Sequence, residues 1–135
     1  MAFPLQILLI DDDADDLDIF NWVLRSIDPS LMADHAADGF EALARLNDDG
    51  YAPDLIFLDL NMPRMHGLDC LRQIRQIGRL DQKPVIVYST SSNPSDIVEC
   101  RVAGASDYIV KGSELSVIKQ ELLQVLKKHK LSVTR

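Results

Sequence analysis

Five short apolar runs punctuate this chain, and four of them stop at a polar side chain: LQILLI at Asp11-Asp12, DLIFL at Asp59, VIVY at Ser89 and YIV at Lys111. The runs lie near residues 5–10, 31–36, 54–59, 84–89 and 106–110, and LMADHA, the second, is the weakest. Runs that are apolar at nearly every position suit strands covered on both faces, and their alternation with helical periodicity is the pattern of βα units on a parallel sheet. In such open sheets ligands sit beyond the carboxyl ends of the strands, where strand order reverses. The first and third strands would flank that crevice, so Asp11, Asp12 and Asp59 are expected together.

The segments between the runs carry helix signals. Leu17, Phe20, Leu24 and Ile27 share one face of a first helix, Asp15, Asp16 and Asp18 suit its positive N-terminal end, and Trp22 is expected to pack at its edge. Asp38 followed by Glu41 reads as a box-like cap for a helix carrying Phe40, Leu43 and Ala44, with Gly50 ending the unit. Leu68, Leu71 and Ile74 predict a third helix, and Asn93-Pro94 an N-cap with proline at the first position of a fourth. Ser113 is expected to cap a last helix whose stripe is Leu115, Ile118, Leu122, Val125 and Leu126.

A chain of 135 residues with 47% apolar content supports one domain, here read as residues 1–135, burying roughly two-thirds of its unfolded surface. A formal net charge of −7 argues against nucleic-acid binding, which demands a basic surface. The short basic stretch Lys127-Lys128-His129-Lys130 reads as a solvated helix end. No run reaches membrane-spanning length, and Cys70 and Cys100 in a chain without a secretory leader read as reduced thiols in a cytoplasmic protein.

Three carboxylates in one crevice must protonate or meet cations. Lys111 offsets one, and the remaining charge matches a single Mg²⁺, a hard ion that takes oxygen ligands. A site that neutralises phosphoryl oxygens with a metal and an ammonium permits attack by a carboxylate on phosphorus. Asp59 is the expected nucleophile, forming an acyl phosphate, because it ends the central strand before the turn Leu60-Asn61-Met62-Pro63. Ser89 could donate its hydroxyl to a bound phosphoryl oxygen. Thr90 is the alternative, and period-two alternation allows only one of the pair to face the site, with spacing favouring Ser89.

The pieces ILLIDDD, PDLIFLDLNMPRMHGLD, KPVIVYSTSS and GASDYIVK, in order and over essentially the whole chain, resemble the receiver domains of two-component response regulators. The resemblance implies a flavodoxin-like (βα)5 fold, a doubly wound parallel sheet of strand order 2-1-3-4-5, as chemotaxis receivers have. It makes Asp59 the phosphoacceptor, places Asp11 and Asp12 at Mg²⁺ with the backbone carbonyl of Asn61, and puts Lys111 on the phosphate. Ser89 falls at the switch hydroxyl and Tyr108 at the aromatic switch, while Asn61 and Ser91 sit where the family tunes phosphoryl lifetime. The implied donor is a phosphohistidine on a histidine kinase or phosphotransfer protein. With no output domain expected after the fifth helix, output would be contact with a downstream protein through the surface of the fourth helix, fifth strand and fifth helix; a homodimer is open. The NMPRMHG segment and the chain length are similar to those of receivers that work with phytochrome-type and other hybrid kinases. The chain departs from the pattern at Lys111-Gly112, where the family usually has Lys-Pro with a cis bond.

Other readings weigh less. Asp13 reads as a loop or pre-helix residue, and His35 and His66, without ligand-spaced partners, as non-catalytic. A hydrolase with Asp59 as nucleophile would generally need an aspartate where Asn61 stands. A phosphorylation-independent interaction module leaves the acidic set unexplained, and a nucleotide-binding version of the fold lacks a glycine cluster after the first strand.

Overall fold

A computed structural model describes residues 5–112 and 114–131. Five strands alternate with helices: β1 (Ile7–Ile10), α1 (Ala14–Ile27), β2 (Ala33–Ala36), α2 (Gly39–Leu46), β3 (Leu55–Leu58), α3 (Gly67–Ile74), β4 (Val85–Ser89), α4 (Pro94–Ala103), β5 (Asp107–Val110) and α5 (Leu115–Lys128). A short 3-10 turn, Gly78–Leu80, precedes β4. The sheet is parallel throughout and ordered β2-β1-β3-β4-β5, the flavodoxin-like arrangement expected.

Side-chain alternation along the strands divides the core in two. Leu8, Ile10, Ile56, Leu58, Val85 and Val87 pack with α2, α3 and α4, whereas Ile7, Leu9, Leu55, Phe57, Ile86 and Tyr88 pack with α1 and α5. Because both faces are covered, β1, β3 and β4 are buried at every position. Phe20 of α1 stacks edge-on against Phe57, ring centroids 4.8 Å apart, and fixes that helix over the centre of the sheet. The edge strand β2 is shorter than the run LMADHA and only its two alanines are buried.

Expectations for three of the helices change in detail. The buried face of α2 is Ala42, Leu43 and Leu46, while Phe40 and Ala44 face solvent. Asp38 caps this helix by accepting from the Glu41 amide, but the Glu41 carboxylate reaches back to the amide of Ala37, one residue before the cap. Trp22 is 61% exposed, on the side of α1 turned away from Phe20 and Leu24, so edge packing does not cover it. In α5, Ile118, Leu122, Val125 and Leu126 are buried and Leu115 is exposed. Asn93 and Pro94 cap α4 as expected. Ser113 lies outside the described residues, and Glu114 stands at the N-cap of α5 without a side-chain capping bond.

Candidate functional site

The strand ends position the site. Backbone pairing runs one residue past each strand, with the Asp11 amide donating to Ala36 O (3.0 Å), Asp59 to Ile10 O (2.9 Å) and Lys111 to Ser89 O (2.7 Å). Each polar residue that stops an apolar run is therefore still held by the sheet. One carboxylate oxygen from each of Asp11, Asp12 and Asp59 lies within 4.8 Å of the others. Asp11 and Asp59 are buried and Asp12 is exposed, so the cluster opens to solvent on one side. Oxygen-only donors gathered this closely, two of them within a turn of the chain, fit a hard divalent cation.

Lys111 reaches this group from β5. Its Nζ lies 2.5 Å from Asp11, 2.8 Å from Asp16 and 3.4 Å from Asp59. The Lys111–Gly112 peptide is trans, and Lys111 nevertheless stays beside Asp59. Asp16, expected only to complement the helix end, is the fourth carboxylate of the group, which is therefore one charge more negative than three aspartates and a lysine. Burial pushes the carboxyls of Asp11 and Asp59 above the usual carboxylate range, and contact with Lys111 only partly opposes it. For Lys111 burial acts against the charge, but hydrogen bonds to Asp11 and Asp16 and the charges of Asp11 and Asp59 outweigh it and hold the ammonium protonated.

Local structure around the site comes from three loops. Asp13 caps α1, accepting from the Asp15 amide, and its own amide donates to Asp11 Oδ1 (2.9 Å), which orients that carboxylate. After β3, the Asn61 amide donates to Asp59 Oδ1 (3.3 Å), and the chain turns through Arg64, at a φ of 67°, before α3. Arg64 pairs with Asp38, tying this loop to the start of α2. His66 caps α3, its Nδ1 accepting from the Leu68 amide (3.2 Å).

Ser89 is fully buried and Thr90 exposed, so of the pair it is Ser89 that lies inside. Its Oγ accepts from the Ser91 amide (3.2 Å). Tyr108 is half-buried, and its hydroxyl donates to the carbonyl of Ser91 (2.7 Å), joining β5 to the loop that follows Ser89. Ser91 in turn donates to Asp96 in the first turn of α4 (2.6 Å). His35 has an unforeseen partner: its Nε2–H donates to the carbonyl of Asp11 (2.7 Å). A period-two reading of β2 could have placed His35 beside β1, but a bond to a backbone carbonyl leaves no mark in composition or spacing.

Residues 7–124 match the response regulator receiver domain. The chain is 41% identical over 116 residues to the Regulator of RpoS of Escherichia coli K12, covering 82% of this chain and 32% of that protein, so it spans about a third of that relative's length. It is 31% identical to the chemotaxis protein CheY of Pseudomonas aeruginosa, covering 92% of this chain and 98% of CheY. The phosphorylated cyanobacterial phytochrome response regulator RcpA superposes with a TM-score of 0.81 at 30% identity, over 93% of both chains. With its sheet order, its strand-end aspartates and a family match over most of its length, the chain belongs to the receiver domains of two-component response regulators.

Proposed function

We propose that this chain is a phosphoacceptor: it takes a phosphoryl group from a phosphohistidine of a histidine kinase or phosphotransfer protein onto Asp59, and signals by contact with a downstream protein. The observation that carries this reading is the convergence on Asp59 of two other clustered carboxylates and the Lys111 ammonium. A carboxylate oxygen of Asp59 forms the new bond to phosphorus while the P–N bond to the donor imidazole breaks and its electron pair returns to the ring nitrogen. Mg²⁺ on Asp11, Asp12, Asp59 and the Asn61 carbonyl would supply positive charge at the phosphoryl oxygens. Lys111 adds a fixed ammonium on the same oxygens, and the protein's part is positioning and electrostatics.

The readout is assigned to Ser89 and Tyr108. A phosphoryl oxygen accepting from the Ser89 hydroxyl would draw on the same loop that Tyr108 holds through Ser91, biasing the surface of α4, β5 and α5 toward one arrangement. We read residues 1–135 as a single receiver unit acting in the cytoplasm. No helix among the described residues is long and apolar enough to cross a membrane.

The test is intact mass after mixing protein with Mg²⁺ and a small acyl phosphate such as acetyl phosphate. The wild type should gain one phosphoryl group and Asp59→Asn none. Persistent labelling of Asp59→Asn would sink the assignment, and repeated phosphate release from phosphomonoesters would favour a hydrolase.

A further inference from the structure

The lysine that serves Asp59 is held by Asp11 within the cluster, at 2.5 Å, and by a residue outside the cluster of Asp11, Asp12 and Asp59. An ammonium has three N–H donors, and here three carboxylates face it, with Asp59 the most distant at 3.4 Å and Asp16 at 2.8 Å. The backbone after Lys111 offers little restraint. Gly112 is exposed, has a φ of 87°, and has nothing within 4 Å of the place a Cβ would occupy. Side-chain contacts must therefore fix where the ammonium sits. Asp11 contributes, but as a proposed metal ligand it has lone pairs that a cation would claim. Asp16 is free of that duty. It projects from the first turn of α1, a helix pinned to the sheet by Phe20, Val23 and Leu24, so its carboxylate has a rigid base.

We propose that Asp16 is the positioning residue for Lys111: its carboxylate takes one N–H of the ammonium and aims the remaining donors at the phosphoryl group that Asp59 receives. The inference rests on Asp59 being the phosphoacceptor. In transfer from acetyl phosphate, an Asp59 oxygen bonds to phosphorus, the P–O bond to acetate breaks, and the bonding pair leaves with the acetate, so no proton has to move. What Lys111 contributes is charge at the equatorial oxygens, and that contribution depends on its placement. Without Asp16 the ammonium stays paired with Asp11 and Asp59 and stays buried, but lies over the nucleophile itself instead of beside it.

The test is a double-mutant cycle at saturating Mg²⁺, reading the rate of phosphoryl uptake from acetyl phosphate by intact mass for wild type, Asp16→Ala, Lys111→Ala and the double variant. Asp16→Ala should slow uptake by about tenfold, a modest cost for misplacing a charged group. Asp16→Asn, which keeps an acceptor, should lose less. In the Lys111→Ala background the Asp16→Ala change should have no further effect, because residues acting through one another are non-additive. The Lys111 side-chain NH₃⁺ resonance should move in Asp16→Ala while the thermal midpoint shows the variant folded. Uptake by Asp16→Ala within about twofold of wild type, or an equal loss with and without Lys111, overturns the proposal. A wild type that takes up no phosphoryl group would remove the reading of Asp59 instead, while an unmoved Lys111 resonance would still count against Asp16.

Discussion

Gly67 sits so close to Asp59 that a Cβ on it would lie 2.2 Å from the Asp59 carbonyl oxygen and 2.6 Å from Leu60 Cα. Its amide donates to Leu60 O (2.7 Å), so α3 begins directly against the backbone that carries the proposed phosphoacceptor. Gly67→Ala gains up to about 1 kcal/mol in helix propensity. Against this, the clash is with main chain that cannot rotate away, and overpacking of this kind costs about 1–3 kcal/mol or more. Clash should win, and urea denaturation should show a lowered midpoint, with slower phosphoryl uptake because the Asp59 turn has shifted.

Asp59→Asn should stabilise the metal-free protein, on the order of 1 kcal/mol, by removing one buried charge from an over-acidic cluster. The pH dependence has a definite sign. Burial raises the folded-state pKa of Asp59 above its unfolded value, so the folded state binds more protons between the two. Wild-type stability therefore declines as pH rises from the ordinary carboxylate range through the raised value, and Asp59→Asn lacks that share of the decline. Thermal midpoints of both proteins in chelator should converge in acid and separate toward neutral pH, and Mg²⁺ should narrow the gap by stabilising the wild type more than a variant that has lost one of the proposed ligands.

Asp59 and Gly67 are legible in the sequence to different degrees. LIFL followed by Asp59 announces a buried strand end, because only a strand covered on both faces is apolar at each position. Gly67 is invisible, since close backbone approach is a property of two segments meeting. Phe40 misleads about the face of α2 because helical spacing leaves the phase to packing against α3. Asp16 looks like a dipole-complementing residue, and an acidic side chain in a first turn reads the same whether or not a lysine from β5 reaches it. His35, bonded to a main-chain carbonyl, has no partner that residue types could reveal.

His35→Ala should weaken Mg²⁺ binding, because the imidazole Nε2–H holds the Asp11 carbonyl and with it the loop carrying Asp11 and Asp12. Loss of such an outer partner typically costs about 10–100-fold in metal affinity, and the lower end is expected for a contact to backbone. Calorimetric titration with Mg²⁺ should show the drop, and His35→Gln, which retains a donor, should recover part of it.

Arg75 should be a stability determinant remote from the site. Its guanidinium donates to the carbonyls of Gly104 (2.9 Å), Leu80 (3.2 Å) and Lys83 (2.9 Å), gathering α3, the turn before β4 and the end of α4. Arg75→Ala takes this donor from the carbonyls of Gly104 and Lys83, at about 1–3 kcal/mol each where water cannot reach them, while Leu80 O keeps the Lys83 amide. Arg75→Lys should rescue little, because a single ammonium cannot span the same fan of acceptors. A denaturation midpoint for Arg75→Lys equal to wild type would contradict this account.

Tyr108→Phe separates the switch from the fold. It removes the hydroxyl that donates to Ser91 O and leaves the ring against the α3–α4 side of the core, so stability should fall by only about 0.5–1.5 kcal/mol. Phosphoryl uptake at Asp59 should persist, since the Tyr108 hydroxyl is engaged with the β4–α4 loop and not with the carboxylates that surround Lys111. What should shrink is the response: in the wild type, uptake should move amide resonances around Tyr108 and residues 94–103, through Ser89, Ser91 and Asp96. In Tyr108→Phe the β4–α4 loop is no longer tied to β5, and the shifts at β5 should diminish while those at Ser89 remain. Equal shifts at β5 in both proteins would show that Tyr108 does not carry the signal.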